Sequence, residues 1–225
     1  MSLKNTDNDA NGGLNLLSCI GNEAEIIAGD AKGEKGVVTG KHGGIEHVFI
    51  DFPPPVLKKL RYGNKIQIVS KGMGLRLLDL PEVAVYNLAP SLLKKMKPTI
   101  KDGKLKVKVA KVIPACIMGS GLGSNVPQRG DYDIQMFDQS LVEEWELADL
   151  RLGDIVAIQD ADNTYGRIYK RGAVTVGIIS HGQCLTAGHG PGVTCLFTSV
   201  KGAIEPVLGE GANIADLLGL REGRP

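Results

Sequence analysis

Glycine constrains this chain more than any other residue. Thirty glycines occur in 225 residues, with no collagen-like period and no concentration in one linker. They recur every few residues between short β-type runs, the pattern of many tight turns and bulges. The expectation is a mainly β fold with a few short helices.

The runs between the glycines support that expectation. Glu25 to Ile27, Gly36 to Thr39 and His47 to Phe52 read as strands, and Asp30 to Gly33 reads as a turn. Pro53-Pro54-Pro55 stops the third strand and opens a short helix. Lys65 to Val69 alternates polar and apolar, and Ser91 to Lys97 reads as a short helix ended by Pro98. Lys101-Asp102-Gly103-Lys104 is a hairpin turn. After it, Leu105, Val107 and Val109 alternate with lysines, which predicts an apolar inner face and a basic outer one.

Residues 119–130 form a loop rich in Gly, Ser, Asn and Pro. Asp138 to Leu150 is predicted to be a helix with a Ser140–Glu143 capping box. Strands are predicted at 155–158, 167–179 and 193–198, and a last helix from Asn213 to Leu220 with Asn213 as its cap. Leu60 to Ile68 echoes Leu150 to Ile158, each with Leu-Arg, a glycine, then Asn or Asp before a strand. Either two related β-modules or one common helix-to-strand turn accounts for it. The organisation predicted is a disordered leader at 1–13, a first β-module at 14–100 and a second at 101–225.

Composition narrows function mainly by exclusion. Net charge is +1, so no global field draws the chain to nucleic acid or an anionic membrane. No apolar run approaches the roughly 20 residues of a spanning helix. The first thirteen residues are too polar for a secretory signal. Cys19, Cys116, Cys184 and Cys195 form no CxxC pair, which reads as buried free thiols in a reducing cytoplasm.

All four histidines fall in two glycine-rich segments, 40–47 and 180–192. If these loops converge, His42, Glu46, His47, His181 and His189 could hold a small ligand or a divalent transition metal. The competing reading is turn residues with ordinary backbone hydrogen bonds. Asp131 and Asp133 would share one face of a strand and join the same site. Asp160, Asp162 and Thr164 before Gly166 have part of a calcium-loop pattern but lack its terminal Glu. Gly119 to Ser124 could offer amides to a phosphate, though no helix follows. Cys184 beside His181 or His189 would be a nucleophile without an identified third group. Lysines at 32, 35 and 41, and at 101, 104, 106, 108 and 111, could follow a phosphate backbone. They equally suit exposed strands protected from aggregation.

Three stretches, 19–53, 119–134 and 162–199, together resemble a prokaryotic family known as domain of unknown function 4438. The likeness runs from about Leu14 to Ile214. It implies an SH3-like barrel followed by a second, mostly β portion, and a further N-terminal segment in other members. It implies no activity, cofactor or catalytic residue. Residues 25–41 are also similar to a KOW element, with strand, Lys-Gly turn and strand. The leading functional expectation is a small-molecule-binding protein or enzyme whose site lies in the loops at 40–47, 119–133 and 180–192. The alternatives are a nucleic-acid or ribonucleoprotein accessory, and a structural subunit. Partners left open are a small-molecule ligand and further copies of the chain; a membrane is not expected.

Overall fold

A computed structural model describes residues 1–220. In chain order the strands are Ser2–Leu3 (β1), Glu23–Ala28 (β2), Lys35–His42 (β3), His47–Asp51 (β4), Lys65–Ile68 (β5), Ala84–Val85 (β6) and Thr99–Lys101 (β7). They continue with Lys104–Val109 (β8), Lys111–Pro114 (β9), Tyr132–Asp133 (β10), Ile155–Asp162 (β11), Ile168–Ile179 (β12), Gly192–Ser199 (β13) and Ile204–Leu208 (β14). The helices are short: Asn8–Leu17 (α1), Pro54–Leu57 (α2), Pro90–Met96 (α3), Gln139–Glu144 (α4) and Ile214–Leu218 (α5). The chain is mainly β.

Three sheets form. A five-stranded sheet runs β1-β4-β3-β2-β5, a six-stranded sheet includes β10-β13-β12-β11-β9 with β6 on β13, and a three-stranded sheet runs β14-β8-β7. Where a small SH3-like barrel was expected, the first sheet is antiparallel, and its edge strands β1 and β5 are not paired with each other among the described residues.

The six-stranded sheet is buried on both faces along β13, the first half of β11 and the second half of β12. In β11, Ile155 and Ala157 enter one core while Val156 and Ile158 enter another. A continuous apolar run is the sequence that such a strand requires. The three-stranded sheet closes the first of these cores. Leu105, Val107 and Val109 point into it, and Lys104 and Lys108 stay outside, so the predicted register of β8 is the observed one. The Asp102-Gly103 turn has positive φ at both residues, 53° and 72°, as a two-residue hairpin needs.

Other expectations need correction. Residues 1–13, predicted to be disordered, carry β1 and most of α1. Ser2 and Leu3 pair with Phe49 and Val48, and Asp7 caps α1 by accepting from the Ala10 amide. Two asparagines of α1 are spent on tertiary contacts: Asn11 and Asn15 both donate to the Glu46 carbonyl. The helix at 138–150 is shorter than predicted. Asp138 caps it in place of Ser140, and Glu146 turns left-handed at φ 52° and ends it. Only Cys19 and Cys195 are buried, while Cys116 is exposed.

The sequence echo is one turn used twice. The Asn64 side chain accepts from the Arg61 amide, and Asp154 accepts from the Arg151 amide; Gly63 and Gly153 have φ 88° and 83°. The strands that follow differ. β5 is a sheet edge, whereas β11 is flanked by β12 and, in parallel, β9. No helix among the described residues is long and apolar enough to cross a membrane.

Candidate functional site

The two largest sheets meet at the end of β3. A β-carbon on Gly40 would lie 2.5 Å from Ser180 Cβ, so only glycine lets β3 approach this closely. Next to it the Lys41 amide donates to Thr194 Oγ1 at 3.3 Å, and Ser180 Oγ bonds the same hydroxyl at 2.8 Å. This contact brings His42, the last residue of β3, beside His181, with ring centroids 4.5 Å apart.

Lys41 itself is fully buried. Its ammonium donates to the Asn15 carbonyl, to Asn87 Oδ1 at 2.6 Å and to the Gln128 carbonyl at 2.6 Å. Three N–H groups thus meet three oxygens, which suits the charged form. Burial acts against that charge and lowers the pKa to about 7. Asn87, at φ 52°, also donates to the Pro127 and Cys195 carbonyls. Lys41 and Asn87 together pin the 127–128 segment to both sheets and so position the residues that follow, Arg129 to Asp133.

Asp131 and Asp133 flank Tyr132 in alternation. Tyr132 enters the core, and the two carboxylates turn to the other face. There they meet His181, which follows β12. Its Nε2 lies 2.8 Å from Asp131 Oδ2 and 3.5 Å from Asp133 Oδ1. Between β10 and β12 runs β13, and the residue opposite Asp133 is Gly192. A β-carbon on Gly192 would fall far inside contact distance of both Asp131 Oδ2 and His181 Nε2. The missing side chain on the middle strand therefore makes room for side chains from the strands on either side.

The second oxygen of each carboxylate is tied to backbone. The Gly43 amide donates to Asp131 Oδ1 at 2.7 Å, and the Gly190 amide to Asp133 Oδ2 at 3.3 Å. Burial alone would lower the His181 pKa, but Asp131 and Asp133 outweigh it and raise it to about 10.

Above this cluster opens a cleft of about 590 Å³, lined among others by His42, Glu46, Arg129, Asp131, Asp133, Arg167 and His189. Loops 40–47, 119–133 and 180–192 all reach it. Gly130 and Gly43 touch back to back: a β-carbon on Gly130 would lie 2.5 Å from Gly43 Cα. The Ser120 amide donates to the Gly188 carbonyl at 2.6 Å. Of the predicted residues, His42, Glu46, Asp131, Asp133 and His189 face the cleft, and His181 sits behind them. His47 does not join. It lies opposite His42 in the β3–β4 ladder, but its Nδ1 contacts Ser2 Oγ. The proposed set of four histidine ligands is therefore not assembled.

Other sequence patterns are consumed locally. Asp162 accepts from the Thr164 amide and hydroxyl, and Asp160 from the Gly172 amide, so they do not converge as calcium ligands. The amides of Gly119, Ser120, Leu122, Gly123 and Ser124 are all bonded to carbonyls, leaving little for a phosphate.

Two arginines were missed. Arg167 is buried; it donates to the Arg129 carbonyl at 2.5 Å and the Gly121 carbonyl at 3.3 Å, and lies 5.4 Å from the Tyr132 ring centroid. Arg129 is half-buried against α1, where a β-carbon on Gly12 would come within 2.9 Å of its Nη2. Its guanidinium has no hydrogen bond or ion pair with a described residue. Isolated arginines in loops read as surface charge. The available signal was their placement, one beside Gly130 and Asp131 and the other directly after Gly166.

Family models match in two adjoining pieces. The description "Domain of unknown function (DUF4438), N-terminal" matches residues 1–94, and "Domain of unknown function (DUF4438), C-terminal" matches residues 95–218. The chain belongs to the DUF4438 family. A solved structure described as "Crystal structure of TM1086" is similar to this DUF4438 chain at 47% identity and TM-score 0.91, covering 96% of this chain and 75% of that one. The curated proteins contain no match.

Proposed function

We propose that the cleft binds a small anionic molecule, as a binding protein or an enzyme would. The observation that carries this reading is Arg129. Arg129 lines a cleft of about 590 Å³, its Nε is buried without a hydrogen-bond partner, and its guanidinium has no carboxylate partner among the described residues. Arg167 adds a second, buried cation whose hydrogen bonds go to two backbone carbonyls. An unpaired guanidinium in a partly dehydrated cleft favours carboxylate or phosphate oxygens, which it can bind in a bidentate fork. The four free thiols support a reducing, cytoplasmic setting.

The nucleic-acid reading draws less support. Lys41, counted in its basic face, is buried, and Lys35 and Lys106 are paired with Glu23 and Glu205. Inorganic phosphate and simple dicarboxylates, titrated by calorimetry, test the proposal. Binding that weakens at least tenfold in Arg129→Met is expected. No binding, or equal binding by Arg129→Met, would leave the structural-subunit reading in its place.

A further inference from the structure

We infer that Asp131, Asp133 and His181 hold a divalent transition-metal ion at the base of the cleft. The inference deepens the anion-site reading by giving the bound anion a metal neighbour, but its evidence is separate.

Three donor atoms converge: Asp131 Oδ2, a carboxylate oxygen of Asp133, and His181 Nε2, all within 4.8 Å of one another. Two of the separations are 2.8 and 3.5 Å. Two ligands each about 2.1 Å from one ion lie about 3.0 Å apart at an octahedral angle and about 3.4 Å at a tetrahedral one. The Asp131–His181 contact does not have hydrogen-bond alignment: both atoms are buried and neither has a hydrogen-bond partner. The Asp131 side chain is only 3% exposed, and its Oδ2 accepts no hydrogen bond and faces only the cluster, with His181 Nε2 at 2.8 Å.

The outer contacts are those of a built site. Metal-binding carboxylates and imidazoles are oriented by hydrogen bonds to their other atoms. Here the Gly43 and Gly190 amides hold the far oxygens of the two aspartates. His181 Nδ1 lies 3.0 Å from the Gly182 carbonyl, so Nδ1 is the nitrogen that keeps its proton and Nε2 the one that gives its proton up to ligate. Gly192 leaves the space at the centre. Two carboxylates and one imidazole, open on the cleft side, suit Mn²⁺, Fe²⁺, Co²⁺ or Zn²⁺ over a closed thiolate zinc site.

The test uses the full chain, stripped with a chelator and titrated with Mn²⁺ and with Zn²⁺. One ion per chain is expected, at micromolar affinity or tighter. Asp131→Asn, which keeps the Gly43 contact, and His181→Asn, on the more exposed side, should each weaken binding at least tenfold while circular dichroism stays unchanged. Arg129→Met should lose phosphate binding and keep the metal within about twofold. If metal binds and no anion does, the inference stands and the anion reading falls. A folded chain that binds neither ion, or an Asp131→Asn/Asp133→Asn double variant that binds as the wild type does, would overturn it.

Discussion

Gly192 stands opposite Asp133 in the β10–β13 ladder, and the side chain it lacks is the space where Asp131 and His181 meet. Gly192→Ala should therefore damage the cluster more than the fold. Metal affinity should fall at least tenfold, and stability by about 1–3 kcal/mol, the usual cost of overpacking. Calorimetric titration and urea denaturation measure the two effects. An alanine variant with wild-type metal affinity would show that Asp131 and His181 do not need this space to bind the ion.

In the metal-free protein, the His181 pKa is raised from 6.5 to about 10 by Asp131 and Asp133. A raised pKa means that the folded state holds the proton more tightly than the unfolded chain. The stabilisation is then complete below pH 6.5 and is lost as pH rises towards 10. Urea denaturation in chelator at several pH values should show this decline, and His181→Asn should flatten it. Equal slopes in the two proteins would contradict the pairing.

Lys41→Met removes the donor from three oxygens, those of Asn15, Asn87 and Gln128. Buried acceptors left without partners cost about 1–3 kcal/mol each at most sites. A loss of at least ~2 kcal/mol is expected, with faster proteolysis within 119–130. A Met variant as stable as the wild type would mean that burying the ammonium costs as much as its bonds return.

Val107 is 1% exposed on the central strand of the three-stranded sheet. Val107→Ala should cost more than ~1 kcal/mol through lost burial and the cavity left behind. Ile100, on the neighbouring edge strand and 46% exposed, should lose less under the same truncation. Reversal of that order in denaturant titrations would place the sheet in the wrong register.

The β8 register was legible because one buried face imposes strict alternation on Leu105, Val107 and Val109. The Asn213 cap was legible because a side chain that satisfies an amide two residues on acts locally, here on Ala215. The convergence of Asp131, Asp133 and His181 was legible only as a set of loops. Nothing in the spacing distinguishes His181, which joins, from His47, which turns to Ser2. Helix α1 and strand β1 were hidden because their stability is tertiary: Asn11 and Asn15 are held by the Glu46 carbonyl, 31 or more residues away. Lys41 was misplaced for the same reason. A lysine among glycines reads as solvated, and its burial depends on oxygens from three distant segments.

The most direct measurement is an anomalous difference map from crystals of the full chain grown with Mn²⁺. One peak is expected, about 2.0–2.3 Å from Asp131 Oδ2, an Asp133 oxygen and His181 Nε2, the distance range of such ligands. A map with bound Mn²⁺ elsewhere and none among these three atoms would contradict the site.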